Sequence, residues 1–320
     1  MAPTIETHGL RRSFGDNVAL DGLTLSVEAG EVIAVLGPNG AGKTTTVRLL
    51  NGVLAPDYGW SRVLGLDPAV EGDEVRRRTG VLTENSGLDD RLSALQNVTT
   101  YARIRGIPAA DARRRGLDLL DRFGMGDRAD RSVQGMSTGQ RKRVGLARSL
   151  LHDPEVLFLD EPTSGLDPAA TREVIDLMAA LAREHGRTIV LCTHFLAEAS
   201  RLCRRVAILQ QGRLIAVGEP GQLAAELWPG LAVDLELGAP PDDRALAALR
   251  SLRGVLAADA DAGAGGIRLR VEHRDALPAV VAALVTREIA VYGVVPRPPT
   301  LEDVYFALTG QPADHNSDVL

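Results

Sequence analysis

Lysine is almost absent from this chain. Of its 36 basic residues only Lys43 and Lys142 are lysine, and the rest are arginine. A sequence that uses arginine nearly everywhere has kept a compact point charge on a flexible stem at Lys43, where a planar fork would not serve. Cysteine is equally scarce. Cys192 and Cys203 show no metal-type spacing, and such sparing use fits a reducing compartment rather than a disulfide scaffold. No stretch reaches the roughly 20 apolar residues of a spanning helix; the best, residues 276–285, is too short and contains Pro278. The opening residues, Met1-Ala2-Pro3-Thr4-Ile5-Glu6, carry neither the basic start nor the apolar core of a signal peptide. The expectation is a chain without its own span, whose membrane role comes through a partner. A net charge of −6 disfavours broad nucleic-acid binding, so no nucleic acid is expected among the partners. The runs Arg76-Arg77-Arg78 and Arg113-Arg114-Arg115 read as solvated helix faces.

At 320 residues there is room for two domains. Residues 31–36, 156–159 and 188–192 are short β-branched apolar runs, as buried parallel strands require, and an amphipathic helix over 169–184 lies between the last two. This βαβ rhythm predicts an α/β domain with a parallel sheet over residues 1–220. Residues 205–209 and 213–217 read as a closing hairpin turned at Gln211-Gly212. Residues from about 84 to 151 are helical in pattern and read as an insertion. A linker is expected over 221–230. Beyond it, strands at 232–237, 267–271 and 289–295 alternate with helices at 244–252 and 276–285, and a last helix is capped by Thr300 with Asp303 in its first turn. That order predicts a small α+β domain, ferredoxin-like or close to it, over 231–310. Residues 311–320 read as a disordered tail.

Gly37-Pro38-Asn39-Gly40-Ala41-Gly42-Lys43-Thr44 fits the P-loop pattern in full, after a strand and at a helix start. Its backbone N–H groups and helix dipole suit phosphate oxygens. Lys43 would reach the β- and γ-phosphates, and the Thr44 hydroxyl would ligate Mg²⁺. The apolar run 156–159 ends in Asp160-Glu161, at the strand end that faces the ligand crevice of a doubly wound sheet. Asp160 would hold Mg²⁺ through water, and Glu161 would polarise the attacking water. Met136-Ser137-Thr138-Gly139-Gln140 opens a further helical segment, a second phosphate-type helix start. Two such starts suggest a nucleotide gripped from two sides.

In order and spacing, the P-loop, the Met136-to-Gln140 run and the Asp160-Glu161 pair resemble those of ATP-binding cassette (ABC) proteins over roughly residues 4–220. Ser164-Gly165-Leu166-Asp167 looks like that family's D-loop, although Asp167 also serves as a cap for a helix from Pro168. His194 looks like its switch histidine, and Phe14, with Val18 nearby, like the aromatic that stacks on adenine. The resemblance implies a P-loop NTPase (ABC ATPase) fold with a helical insertion. It implies catalytic roles for Glu161, His194 and Lys43, and Mg²⁺ ligation by Thr44, Asp160 and Glu84. ATP contacts are implied at Phe14, Val18, Asn39, Gly40, Ala41, Gly42, Lys43, Thr44, Thr45 and Glu84. Ser137, Gly139, Gln140 and Asp167 are implied contacts as well, Ser137 touching the γ-phosphate of ATP held by the other protomer of a homodimer. The sequence departs from the family pattern in two places, the signature and Glu84. The signature usually reads Leu-Ser-Gly-Gly-Gln, and here Met136 and Thr138 replace two members. Glu84 stands where the family has Gln, which adds a negative charge beside the γ-phosphate.

The ending of the chain, residues 299–310, resembles the C-terminal domains of ABC-2-type exporter ATPases of the daunorubicin-resistance-like group. That implies a peripheral subunit on the cytoplasmic face of the membrane, paired with an integral permease and driving efflux of a drug, antibiotic or lipid-like molecule. A soluble, non-transport ABC ATPase is the alternative, though the chain has neither tandem cassettes nor a long coiled-coil insertion. No Asn-Lys-x-Asp motif is present, which disfavours a GTPase.

Overall fold

Alternation of buried and exposed residues makes two long strands, β1 (Ile5–Phe14) and β2 (Asn17–Val27), half-buried. They join β4 (Tyr58–Val63) in an antiparallel sheet of order β2-β1-β4, an element absent from the sequence expectation. A computed structural model describes residues 3–261 and 266–310, and the chain divides into two compact units, Met1–Glu219 and Pro220–Leu320.

The first unit is built on a six-stranded sheet of order β5-β6-β7-β3-β8-β9. Its strands are β3 (Val32–Leu36), β5 (Thr79–Leu82), β6 (Val156–Asp160), β7 (Thr188–Thr193), β8 (Arg205–Gln210) and β9 (Arg213–Gly218). The first five run parallel and β9 returns antiparallel to β8, with Gln211 and Gly212 at positive φ in the turn. Every residue of β6 and β7 is buried, as the continuous apolar runs demand. Full burial of Leu157, Phe158 and Leu159 stabilises the sheet by roughly 1.5–3 kcal/mol each. The connecting helices are α1 (Lys43–Leu50), α2 (Gly72–Arg78), α6 (Pro168–His185) and α7 (Leu196–Leu202). In register, Leu36 pairs with Thr193 and Asp160 with Cys192, so β3, β6 and β7 stop almost level. The residues that come next on each strand therefore meet at one edge of the sheet.

The segment expected as a helical insertion contains α3 (Ala94–Ile104), α4 (Ala109–Arg122) and α5 (Thr138–Leu150), which pack on one another. Ser93 with Gln96 and Ser137 with Gln140 form capping boxes at the starts of α3 and α5. No helix is long and apolar enough to cross a membrane among the described residues.

In the second unit, the segment expected as a linker is instead largely helix, α8 (Pro220–Leu227), with Leu223 and Ala224 buried. It packs on α11 (Leu301–Thr309). Between them lie β10 (Leu231–Leu237), α9 (Asp243–Arg250), β11 (Val255–Asp261), β12 (Gly266–Val271), α10 (Leu277–Val285) and β13 (Val291–Pro296). The order is βαββαβ, with an antiparallel sheet β11-β12-β10-β13, which is the ferredoxin-like arrangement. The expected order lacked β11, because Val255-Leu-Ala-Ala-Asp-Ala-Asp is rich in residues that strands avoid. Pairing with β12 overrides that preference. The last helix carries its Thr300–Asp303 capping box. The tail expectation over 311–320 lies outside the described residues.

Candidate active site

The loop between β3 and α1 approaches its surroundings too closely for side chains. A β-carbon on Gly37 would lie 2.4 Å from the Leu209 carbonyl oxygen, and one on Gly42 2.6 Å from that of Ala19. Gly42 also holds φ at 108° as the N-cap of α1. The loop borders a cavity of about 380 Å³, lined by Phe14, Asn17, Ala19, residues 38–45, Glu84 and Glu161. Asn39, Gly40, Ala41, Gly42, Lys43, Thr44 and Thr45 therefore share one cavity with Phe14 and Glu84. Val18 does not line it. The two-residue period of a strand turns its neighbours Asn17 and Ala19 to the cavity instead.

Lys43 is buried, its Nζ donating to the carbonyl oxygens of Gly37 (2.6 Å) and Pro38 (3.3 Å). It also lies 3.2 Å from Glu161 Oε1. The second Glu161 oxygen accepts from His194 Nδ1 at 2.9 Å, so the imidazole proton faces the carboxylate and Nε2 is left for another partner. Thr44 Oγ1 donates to Asp160 Oδ2 at 2.8 Å, while Asp160 Oδ1 is buried without a hydrogen-bond partner. Burial pushes the Asp160 carboxyl above its ordinary range; the Thr44 hydroxyl opposes this and the Glu161 charge adds to it. Glu161 itself holds φ at 49°, the left-handed region that costs a non-glycine residue roughly 1–2 kcal/mol. Such strain persists where surroundings fix it. Here the Glu161 N–H donates to the Cys192 carbonyl (2.8 Å) and its carbonyl accepts from Lys142 Nζ (2.8 Å).

The remaining expected residues stand outside the cavity. Ser137 caps α5: its hydroxyl accepts from Gln140 N at 3.3 Å, and Gln140 Oε1 accepts from Ser137 N at 3.1 Å. Ser137 and Thr138 are exposed, whereas Gly139 is buried, because a β-carbon there would lie 3.2 Å from Ala170 Cβ. Asp167 caps α6 by accepting from Ala170 N at 2.8 Å.

Three contributors are not visible in the sequence motifs. Arg12 lies over the Phe14 ring, 5.1 Å from its centroid, and is held by Asp57 Oδ1 at 2.9 Å and the Ala55 carbonyl. Buried Glu198 accepts from the hydroxyls of Thr163 and Thr193, joining the loop after Glu161 to the strand before His194. Lys142 ties α5 to the strand ends. Only the last had a signal, as the second lysine of an arginine-rich chain.

Comparison with known proteins agrees with this geometry. The family model described as "ABC transporter" matches residues 20–164. The chain is 37% identical to the daunorubicin/doxorubicin resistance ATP-binding protein DrrA of Streptomyces peucetius, over 98% of this chain and 94% of that protein. It is 38% identical to the Nod factor export ATP-binding protein I of Ralstonia nicotianae, over 97% and 94% respectively. Among solved structures, cbiO1 from Clostridium perfringens, part of the ABC transporter complex cbiONQ, superposes with a TM-score of 0.63 at 31% identity, over 71% of this chain and 92% of that one. A bacterial ABC transporter cassette solved as a dimer gives 0.62 at 25% identity, over 67% and 98%. The two carboxylates at the end of β6, the P-loop after β3 and full-length likeness to export ATP-binding proteins lead to one conclusion: this chain belongs to the ATP-binding cassette transporter family, as an ATPase subunit of the ABC-2-type exporter group.

Proposed function

We propose that this chain hydrolyses ATP as one half of a head-to-tail homodimer, and that the cycle drives efflux of a drug, antibiotic or lipid-like molecule through a separate permease at the cytoplasmic face of the membrane. One observation carries the dimer. The cavity gathers the P-loop, Glu84 and Glu161 but none of Ser137, Gly139, Gln140 or Asp167. A nucleotide in it is served from one side by its own chain, and the exposed start of α5 is free to serve the nucleotide of another. Full-length likeness to daunorubicin-resistance and Nod factor export proteins supports the transport role.

The residues divide the work. The Phe14 face receives adenine, and the N–H groups of residues 39–45 and the Lys43 ammonium receive the phosphates. Glu161 takes the proton of the attacking water, a role worth roughly 10²–10⁴ in rate. His194 orients that carboxylate through Nδ1 and offers Nε2 toward the γ-phosphate. The donor set also fits Mg²⁺: the Thr44 hydroxyl bonds the Asp160 carboxylate, whose other oxygen is buried and unpartnered, Glu84 borders a cavity together with both residues, and hard oxygen ligands suit that ion. Bound there, Mg²⁺ would neutralise phosphate charge. A second cavity of about 460 Å³, bordered by Arg48, Val53, Glu84, Tyr101, Arg105 and Asp160, adjoins the hydrolytic residues and presents a largely exposed Val53. It is the surface on which a permease segment would feel closure.

The test is the Glu161→Gln variant with ATP, followed by light scattering and phosphate release. The reading expects a stable ATP-dependent dimer with hydrolysis lost. Hydrolysis at the wild-type rate would remove Glu161 as the base, and a monomer with ATP bound would remove the shared site.

A further inference from the structure

The chain keeps two lysines, and the hydrolytic reading uses only one. Lys142 is 1% exposed, more deeply buried than Lys43 at 6%. It lies on the first turns of α5, whose N-cap is Ser137. Its ammonium donates to two backbone carbonyls, those of Glu84 and Glu161. Glu84 lies just beyond β5 and Glu161 just beyond β6, so one cation joins the helix that starts at the exposed Ser137 to two neighbouring strand ends. A buried ammonium is costly to desolvate, and its pKa is lowered accordingly. Four carboxylates from three places in the fold act on it: Glu84 after β5, Asp160 and Glu161 at the end of β6 and, on α7, Glu198.

The Glu161 carbonyl is the informative partner. At φ 49° its peptide departs from ordinary strand geometry. The Cys192 carbonyl fixes its N–H side; on its carbonyl side Lys142 Nζ donates at 2.8 Å and Ser164 N more weakly at 3.3 Å. Removing Lys142 takes away the shorter, charged of the two bonds on that carbonyl and leaves only the longer one from Ser164 N, so the strained peptide is held less firmly and the carboxylate above it loses its bearing toward the cavity. A guanidinium cannot take this place unchanged. It is planar and larger than an ammonium, and a site closed on all sides leaves it no room. That is a physical reason for a lysine here among so many arginines.

We infer that Lys142 is a positioning residue for hydrolysis: it transmits the placement of the α5 N-terminus to the backbone of Glu161 and Glu84 within the same chain. When Ser137 engages the nucleotide of a second copy, any shift of α5 is delivered through one ammonium to the base and to Glu84 together. This rests on Glu161 being the hydrolytic base. Lys142 does not reach the nucleotide cavity, whose lining excludes it, so it should act on turnover and not on nucleotide affinity.

The experiment compares full-length wild type with Lys142→Met, Lys142→Gln and Lys142→Arg. Fluorescent ATP binding, steady-state hydrolysis and thermal melting are measured on each. Lys142→Met is also placed in the Glu161→Gln background to read ATP-driven dimerisation. The expectation is a kcat at least tenfold lower for Lys142→Met and Lys142→Arg. ATP affinity should stay within about threefold, and the dimer should still form in the Glu161→Gln background. Lys142→Gln, which keeps a donor for one carbonyl, should fall between. A folded Lys142→Met with kcat within twofold of wild type would overturn the proposal. So would ATP affinity, dimerisation and melting temperature falling in step with kcat, which is the pattern of a merely structural lysine. If Lys142→Met does not fold, Lys142→Gln decides by the same kcat-against-affinity split. Glu161→Gln alone, run alongside, separates the two readings: normal hydrolysis there sinks the assignment of the base, whereas its loss beside a normal Lys142→Met sinks only the role of Lys142.

Discussion

Glu161 Oε1 lies 3.2 Å from Lys43 Nζ, yet makes no hydrogen bond of normal geometry. The two opposite charges thus pair deep in a site where both residues are buried. In the proposed cycle, phosphate arriving at Lys43 would compete for that cation and release the carboxylate. Lys43→Met should therefore weaken ATP binding. Lys43→Arg should also lose hydrolysis by roughly tenfold or more, because the fork cannot share Gly37, Pro38 and Glu161 as the ammonium does. Phosphate-release kinetics on the two variants decide this; full activity in Lys43→Arg would contradict it.

Asp160 ties stability to pH. Burial raises its carboxyl above the ordinary range, so the folded chain binds that proton more tightly than the unfolded one. Stability from this group is present at low pH and is lost as pH rises through the folded value. Once ionised, the half-partnered carboxylate is a cost. Asp160→Asn keeps an acceptor for Thr44 and removes the charge. It should raise the melting temperature of the nucleotide-free protein by roughly 2–4 °C at neutral pH. That gain should vanish near about pH 4, where the free carboxyl itself protonates. Hydrolysis should be lost throughout. Melting scans across pH test the sign: a gain that grows as pH falls would contradict it.

Glu84 borders the cavity through an exposed side chain, while its carbonyl is held by Lys142 whatever the side chain is. Glu84→Gln removes a negative charge from the cavity lining and leaves that backbone contact in place. ATP hydrolysis should be intact or faster, with a lower KM. A loss of more than tenfold in kcat would show that the carboxylate itself is needed.

Phe14 receives Arg12 on its ring, and Arg12 does not border the cavity that Phe14 does. The guanidinium, clamped by Asp57, backs the ring and orients it. Phe14→Ala should raise the KM for ATP roughly 5- to 100-fold by loss of base stacking. Arg12→Ala should raise it only about 2- to 5-fold, as an exposed cation–π contact permits. Both should spare kcat at saturating ATP, and substrate-saturation curves separate the two sizes of effect.

The cassette is legible in the sequence because its chemistry is local. A P-loop, a run of buried strand ending in two carboxylates and a capped glycine-containing helix start are each contiguous in sequence. The hidden features are those that only three dimensions join. The β1–β2–β4 sheet is assembled from strands separated by β3 and α1, and its alternation is broken by several register shifts. Val18 does not border the cavity because a single step along a strand reverses a side chain. The helix at Pro220–Leu227 reads as a linker because its proline and glycine resemble breakers, whereas proline is at home in a first helical turn. Arg12, Glu198 and Lys142 act across 45, 35 and 58 residues of sequence, where no motif spacing can reveal them.

The scarcity of lysine has a practical corollary for solution chemistry. Both side-chain amines are buried, and both touch Glu161 or its peptide. Covalent footprinting with an amine acylator therefore meets no lysine background on the surface. Acylation at Lys43 reports opening of the loop between β3 and α1, and acylation at Lys142 reports separation of α5 from the strand ends. Any lysine that becomes labelled in this protein marks an opening of the structure around Glu161.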